Sequence, residues 1–197
     1  VHYEPGNNTV VALQNIDTSG FFVHNSLVSR KYFAEDRIFL ISWGIFTALA
    51  TMLFLGVIAA PLFARWGIHG IADFLYGFYH LTCHQMPARS WFIDDVQLAV
   101  CVRCFSTYLF LIPASVVLFF RSVREWLRGR SFLKFVLPVS LALLSPLAAD
   151  GFVQLLTPWE STHLLRFITG GLASAGMVLF LGNLYLKFSE RIEASLR

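Results

Sequence analysis

Two stretches of this chain contain no charged residue over lengths that water-soluble helices seldom sustain: Ile38 to Ala64 and Phe167 to Leu186. A helix of roughly 20 apolar residues crosses the hydrocarbon core of a bilayer. Both runs are therefore read as membrane spans. Two further stretches are interrupted once each: Val96 to Phe120 by Arg103, and Phe135 to Trp159 by Asp150. Composition agrees, since 14% of residues are charged against about 25% in soluble domains. The expected fold is an all-α integral membrane protein of four transmembrane helices, spanning about 38–63, 96–120, 135–158 and 166–187. The third is expected to bend at Pro138 or Pro146. Residues 38–190 form the transmembrane domain. Residues 1–37 and 191–197 are read as tails. No signal-peptide pattern is visible before residue 37, and Phe21, Phe22 and Phe33 are expected at the membrane interface.

Orientation follows from the basic residues. Arg121, Arg124, Arg128, Arg130 and Lys134 lie between the second and third spans. Arg30, Lys31 and Arg37 precede the first span, and Lys187, Arg191 and Arg197 end the chain. Four spans put all eleven on one side, leaving Arg65, Arg89, Arg103 and Arg166 on the other. Both termini are expected in the cytoplasm of a prokaryote, with the protein in the plasma membrane. The three cysteines then fall at the outer face, in a compartment that favours thiol oxidation.

The connection from Arg65 to Asp95 is long for a loop without structure of its own. Within it Ile71–Leu81 (IADFLYGFYHL) reads as a short aromatic-rich helix lying in the interface. It delivers the chain to Cys83-His84-Gln85, followed by Pro87 and Arg89. Cys101 and Cys104 form a C-x-x-C at the outer start of the second span, their thiols on one helix face. Cys83, His84, Cys101 and Cys104 together make a suitable ligand set for tetrahedral zinc. Thiolates also suit an iron–sulfur centre. His80, His84 and His163 leave a haem conceivable, though no spacing singles out an axial pair.

Further polar residues fall at the same end. Asp150 and Gln154 share a helix face at i, i+4, and Glu160, His163 and Arg166 follow. An ionisable group at membrane depth needs a partner, so Asp150 is expected to pair with Arg166 or Arg103. Gln85, Arg89, Arg103, Asp150, Gln154 and Arg166 form the polar cluster around the ligands. In the fourth span, Gly170/Ser174 and Gly171/Ala175 permit close helix approach.

These residues resemble a family of prokaryotic predicted membrane proteins with a domain of unknown function. The likeness rests on Cys83-His84-Gln85-Met86-Pro87-Ala88-Arg89-Ser90, then Cys101-Val102-Arg103-Cys104 with Tyr108, and on Asp150, Gln154, Arg166, Thr169 and Gly170. Ser106 stands where the pattern would carry glycine. The resemblance implies a multi-helix membrane protein and supplies no activity. In architecture the chain is also similar to disulfide-generating membrane oxidoreductases of the DsbB type, which carry C-x-x-C and an arginine at the outer start of their second helix. It lacks the second external cysteine pair of those enzymes.

Three functions follow as expectations. The first is a zinc-binding membrane protein. The second is a thiol–disulfide oxidoreductase coupled to a quinone through Cys101 and Cys104, with Cys83 as partner thiol. The third is an accessory subunit of a larger membrane complex. The bilayer is the expected partner, with other membrane subunits. The net charge of +3 suits anionic headgroups and gives no reason to expect nucleic-acid binding.

Overall fold

A computed structural model describes residues 37–195, and the expectations for residues 1–36 and 196–197 lie outside the described residues. The chain divides into two units, Val1–Ile38 and Phe39–Arg197, and the second carries the architecture that follows. Six helices and one hairpin make it up: α1 (Arg37–Arg65), α2 (His69–His80), β1 (Ser90–Ile93), β2 (Val96–Cys101), α3 (Val102–Val117), α4 (Arg121–Arg128), α5 (Leu137–Leu156) and α6 (His163–Ser195). A single turn at Pro87–Arg89 leads into β1, and a π-helical turn at Phe132–Val136 leads into α5.

Helix α1 shows why lipid must be the solvent. One face buries Phe39, Trp43, Ala50, Val57 and Ala60. The opposite face exposes Ile41, Ile45, Leu49, Met52 and Leu55 at helical spacing. Water would oppose a second apolar stripe of that length, whereas lipid accepts it. Three helices, Arg37–Arg65, Phe132–Leu156 and His163–Ile192, are long and apolar enough to cross a membrane. The bent pair α3–α4 makes up to four.

The second span departs from expectation. Val96–Cys101, expected as helix, is instead the strand β2, paired antiparallel with β1 through Phe92↔Gln97 and Ile93↔Val96. Asp94 and Asp95 both take positive φ (44° and 65°), the conformation of a two-residue hairpin turn. The apolar run was legible, but it serves a strand for six residues before it becomes helix. At the other end α3 stops at Val117, and Leu118, Phe119 and Phe120 each bond back three residues. Arg124, buried, gives its Nη1 to the carbonyls of Leu118 (3.0 Å) and Phe119 (2.6 Å). These caps stabilise an 89° bend into α4. Sixteen residues at about 1.5 Å each make α3 about 24 Å long.

The third expected span, 135–158, holds an α-helix from Leu137 to Leu156 with no break in it at either proline. Pro138 sits in the first turn of α5, where its missing N–H is harmless, and the helix runs on past Pro146 to Leu156. Helix α6 outruns the expected span and continues to Ser195, so Arg191 is helical rather than part of a tail.

Helix α6 is the axis of the bundle. A side chain at Gly170 would collide with Ser106 Oγ and the Arg103 carbonyl of α3. One at Gly176 would meet the Ser140 carbonyl of α5 at 2.9 Å. Ser174 Oγ donates to the Thr107 carbonyl at 2.7 Å. The small residues therefore bring backbones together, as the sequence suggested. At the opposite end from the cysteines, Phe39, Trp43, Leu111, Leu118, Leu127, Val136 and Leu186 pack into a core, and Trp43 Nε1 donates to the Ser115 carbonyl at 2.9 Å.

Helix α1 is closed off after Arg65 by Gly67, whose φ of +77° and the bond Ile68 N–Phe63 O (2.9 Å) form a left-handed cap. The chain returns as α2, whose Tyr79 donates its hydroxyl to the Leu53 carbonyl of α1. Gly56 leaves room for that ring.

Gly170→Val should separate α3 from α6 and lower stability by about 1–3 kcal/mol or more, as overpacking does. Thermal unfolding in mild detergent measures this, with Gly44→Ala, where a methyl meets nothing within 4 Å, as the control.

Candidate metal centre

Three local devices bring the cysteines together. Cys83 follows the last turn of α2 and keeps its N–H on the Tyr79 carbonyl (2.9 Å). Cys101 ends β2 opposite Ser90 and caps α3. Cys104 lies one turn into α3. The loop that carries Cys83 is clamped by two glutamines. Gln85, at φ +52°, donates its Nε2 to the carbonyls of Tyr76 (2.7 Å) and Ala99 (2.8 Å). Gln97 donates its Nε2 to the Gln85 carbonyl (2.6 Å) and to Ser90 Oγ (3.1 Å). Gln85 thus holds backbone to backbone across α2, the loop and β2. Gln97 was missed in the sequence because only the hairpin, itself unforeseen, brings it here.

The result is a cluster of three free thiols whose sulfurs all lie within 4.8 Å of one another. Cys83 is buried and the other two are partly so. The Cys101 amide donates to Cys83 Sγ at 3.1 Å, an interaction that favours thiolate. The trio shares protons unequally. Cys101 is held well below the ordinary thiol range, first by the hydrogen bond from the Cys104 thiol and then by that from Cys83. Cys83 is pushed up, chiefly through its hydrogen bond to Cys101. His84, expected as the fourth ligand, is exposed. It lines the same cavity, but among the described residues its ring is not part of the close ligand group. No pair of imidazoles joins that group either.

A second network adjoins the thiols. Arg103, next to Cys104, forms an ion pair with Asp150 of α5, which is 6% exposed. Arg166, 2% exposed, reaches the same carboxylate through Ser161. Ser161 Oγ donates to Asp150 Oδ2 (3.3 Å) and accepts from Arg166 Nε (2.9 Å) and Gln154 Nε2 (2.7 Å). That uses the one donor and two acceptor sites of a hydroxyl. Of the two partners expected for Asp150, Arg103 is direct and Arg166 indirect. Ser161 itself was overlooked, because a lone serine in a short loop carries no spacing signal.

The loops that carry Arg89 and Glu160 close over this network. Arg89 Nη2 meets Glu160 Oε1 at 2.8 Å, and His163 Nε2 lies 3.1 Å from the Ala88 carbonyl, which requires its proton on that nitrogen. Glu160 is held below its ordinary value of 4.5, first by the hydrogen bond from Arg89 and then by its charge. Between loop and bundle remains a cavity of about 220 Å³, lined by the three cysteines, His84, Arg89, Arg103 and Arg166, among others.

The family model described as Predicted membrane protein (DUF2085) matches residues 83–180. An uncharacterised protein of Methanocaldococcus jannaschii is 35% identical over 135 residues, covering 66% of this chain and 83% of its own length. The chain belongs to this family of predicted membrane proteins. An uncharacterised protein of Methanothermobacter thermautotrophicus is 29% identical over 101 residues, covering 51% of this chain and 85% of its own length. No solved structure matches. The matched segment begins at Cys83 and contains the three thiols together with Arg89, Arg103, Asp150, Ser161 and Arg166.

Two outcomes are expected. Ser161→Ala leaves Asp150, Gln154 and Arg166 without their shared link, and unfolding in detergent should show a loss of about 1–3 kcal/mol. The Arg89–Glu160 clasp should depend on pH with a defined sign. Because the carboxyl is depressed in the folded chain, its contribution is complete at neutral pH. It declines below 4.5 and vanishes below the folded value. An acid titration of melting temperature should show this step in the wild type and none in Glu160→Gln.

Proposed function

We propose that this is a four-span membrane protein that holds a zinc ion on Cys83, Cys101 and Cys104 at the outer end of its bundle. The thiol cluster is the observation that carries the reading. Tetrahedral zinc with bonds of about 2.3 Å places its sulfurs about 3.8 Å apart, so a cluster already within 4.8 Å closes around the ion with small side-chain movements. Zinc held on three thiolates would take a fourth ligand from water or from His84, which lines the same cavity. The Gln85 and Gln97 clamps fix the loop on which Cys83 rides, and Arg103 and Arg166 offset thiolate charge, as groups around a metal site do.

The orientation with both termini cytoplasmic, in a prokaryotic plasma membrane, is supported by the distribution of charge. Arg124 and Arg128 lie at the end of the bundle opposite the thiols. In this reading α2 lies in the interface, with Ile71, Phe74, Phe78 and Leu81 exposed along one side. The role as an accessory subunit of a larger complex rests on the sequence, and stoichiometric co-purification in mild detergent tests it.

A second reading is favoured by one observation. The Cys101 and Cys104 pair, with the Cys83 sulfur within 4.8 Å, is also the arrangement of a disulfide exchanger, here linked to a quinone.

Elemental analysis of the purified full chain decides between them. About one zinc per chain, lost in Cys83→Ser and Cys104→Ser, is expected. Retention in His84→Ala would leave water as the fourth ligand. Absence of stoichiometric metal, with a Cys101–Cys104 disulfide trapped by alkylation, would transfer the assignment to the redox reading. Visible absorbance bands would instead indicate iron–sulfur or haem.

A further inference from the structure

We infer that the cavity beside the thiols binds a small oxyanion of the phosphate type, gripped by Arg89, Arg103 and Arg166. Three guanidinium groups from three different segments line one space of about 220 Å³. That is below the roughly 300–1,000 Å³ of pockets for drug-sized ligands, so the occupant is small.

Not every donor on these guanidinium groups is satisfied by protein. Arg89 Nε and Arg103 Nε are both buried and have no hydrogen-bond partner, although each guanidinium pairs elsewhere with a carboxylate, Glu160 and Asp150 respectively. Buried donors in folded proteins nearly always find an acceptor. Asp150 Oδ1 is unpartnered as well, but Asp150 does not line the cavity.

Charge points the same way. Three guanidinium groups converge on the space, and Arg166 gives its Nε and Nη2 to the neutral Ser161 and Gln154. The first turn of α3, which carries Arg103, adds the positive end of its helix dipole. A metal on three thiolates offsets positive charge, but it supplies no acceptor oxygen to the guanidinium groups that line the space. Water supplies an acceptor without charge. An oxyanion supplies both, and its paired oxygens match the guanidinium fork. The phosphate can come from a free ion or from a lipid headgroup, since the chemistry of recognition is shared. The inference deepens the metal reading by adding an occupant to its cavity. Its guanidinium donors do not require the ion, so the two can fail separately.

The test is calorimetric titration of the purified, detergent-solubilised full chain with inorganic phosphate at constant ionic strength, with chloride as reference. Saturable binding is expected, weakened about tenfold or more in Arg89→Gln by loss of a charge-assisted contact. Glu160→Gln, which breaks the same clasp but keeps the guanidinium, should bind at least as tightly as wild type. Cys83→Ser should lose metal and retain phosphate. Water-soluble short-chain phosphatidic acid is the second probe. If it displaces phosphate, the source is a lipid headgroup; if it does not compete, the source is a free ion. Failure of the wild type to bind either probe saturably overturns the inference whatever the metal content, as does equal binding by wild type and Arg89→Gln.

Discussion

The ion pair between Arg103 and Asp150 is the contact on which the end of this bundle depends. Two charges at this depth are tolerable only together, and removing one partner of such a pair typically costs about 3–5 kcal/mol. Arg103 belongs to the same turn as Cys104, so the pair fixes the thiol-bearing start of α3 against the end of α5. The backbone of Arg103 does as much as its side chain. Its carbonyl accepts from Ser106 and Thr107, and it is also the atom against which Gly170 of α6 packs. One residue therefore sets the meeting of three helices. Ser161 then extends the pair to Arg166 and Gln154 with every valence of its hydroxyl used.

Positioning and binding are divided between different residue types here. The glutamines bond to main-chain groups and hold the Cys83 loop in an otherwise unfavourable left-handed turn at Gln85. Arg89 and Arg103 meet carboxylates and keep Nε donors without a protein partner, while Arg166 bonds to Ser161. The thiols lie between these sets, their three sulfurs all within 4.8 Å of one another. A metal on the sulfurs and an oxyanion on the guanidinium groups are thus chemically separate uses of one cavity.

Much of this was legible from particular residues. Apolar length gave α1, α5 and α6, because in lipid a helix needs no polar face and its signal is simple. Gly170 and Ser174 announced close packing, and Asp150 announced a buried partner. What escaped was the reach of the hairpin. Val96–Cys101 is as apolar as the helix that follows it, and hydrophobicity alone cannot separate a buried strand from a helix. The turn at Asp94-Asp95 was the available clue, though aspartate is weaker there than glycine.

By itself the sequence determined that this chain spans a membrane and pointed to three thiols, Gln85, Gln154 and three arginines towards one end. Those properties follow from local composition and from the order of the spans. Only the tertiary structure decided which of them meet. It brought Cys83, Cys101 and Cys104 within ligand distance of one another and left His84 at the rim. It also chose Arg103 over Arg166 as the direct partner of Asp150. Such choices depend on helix rotation and strand register, which arise from packing across the whole bundle and leave no trace in local spacing.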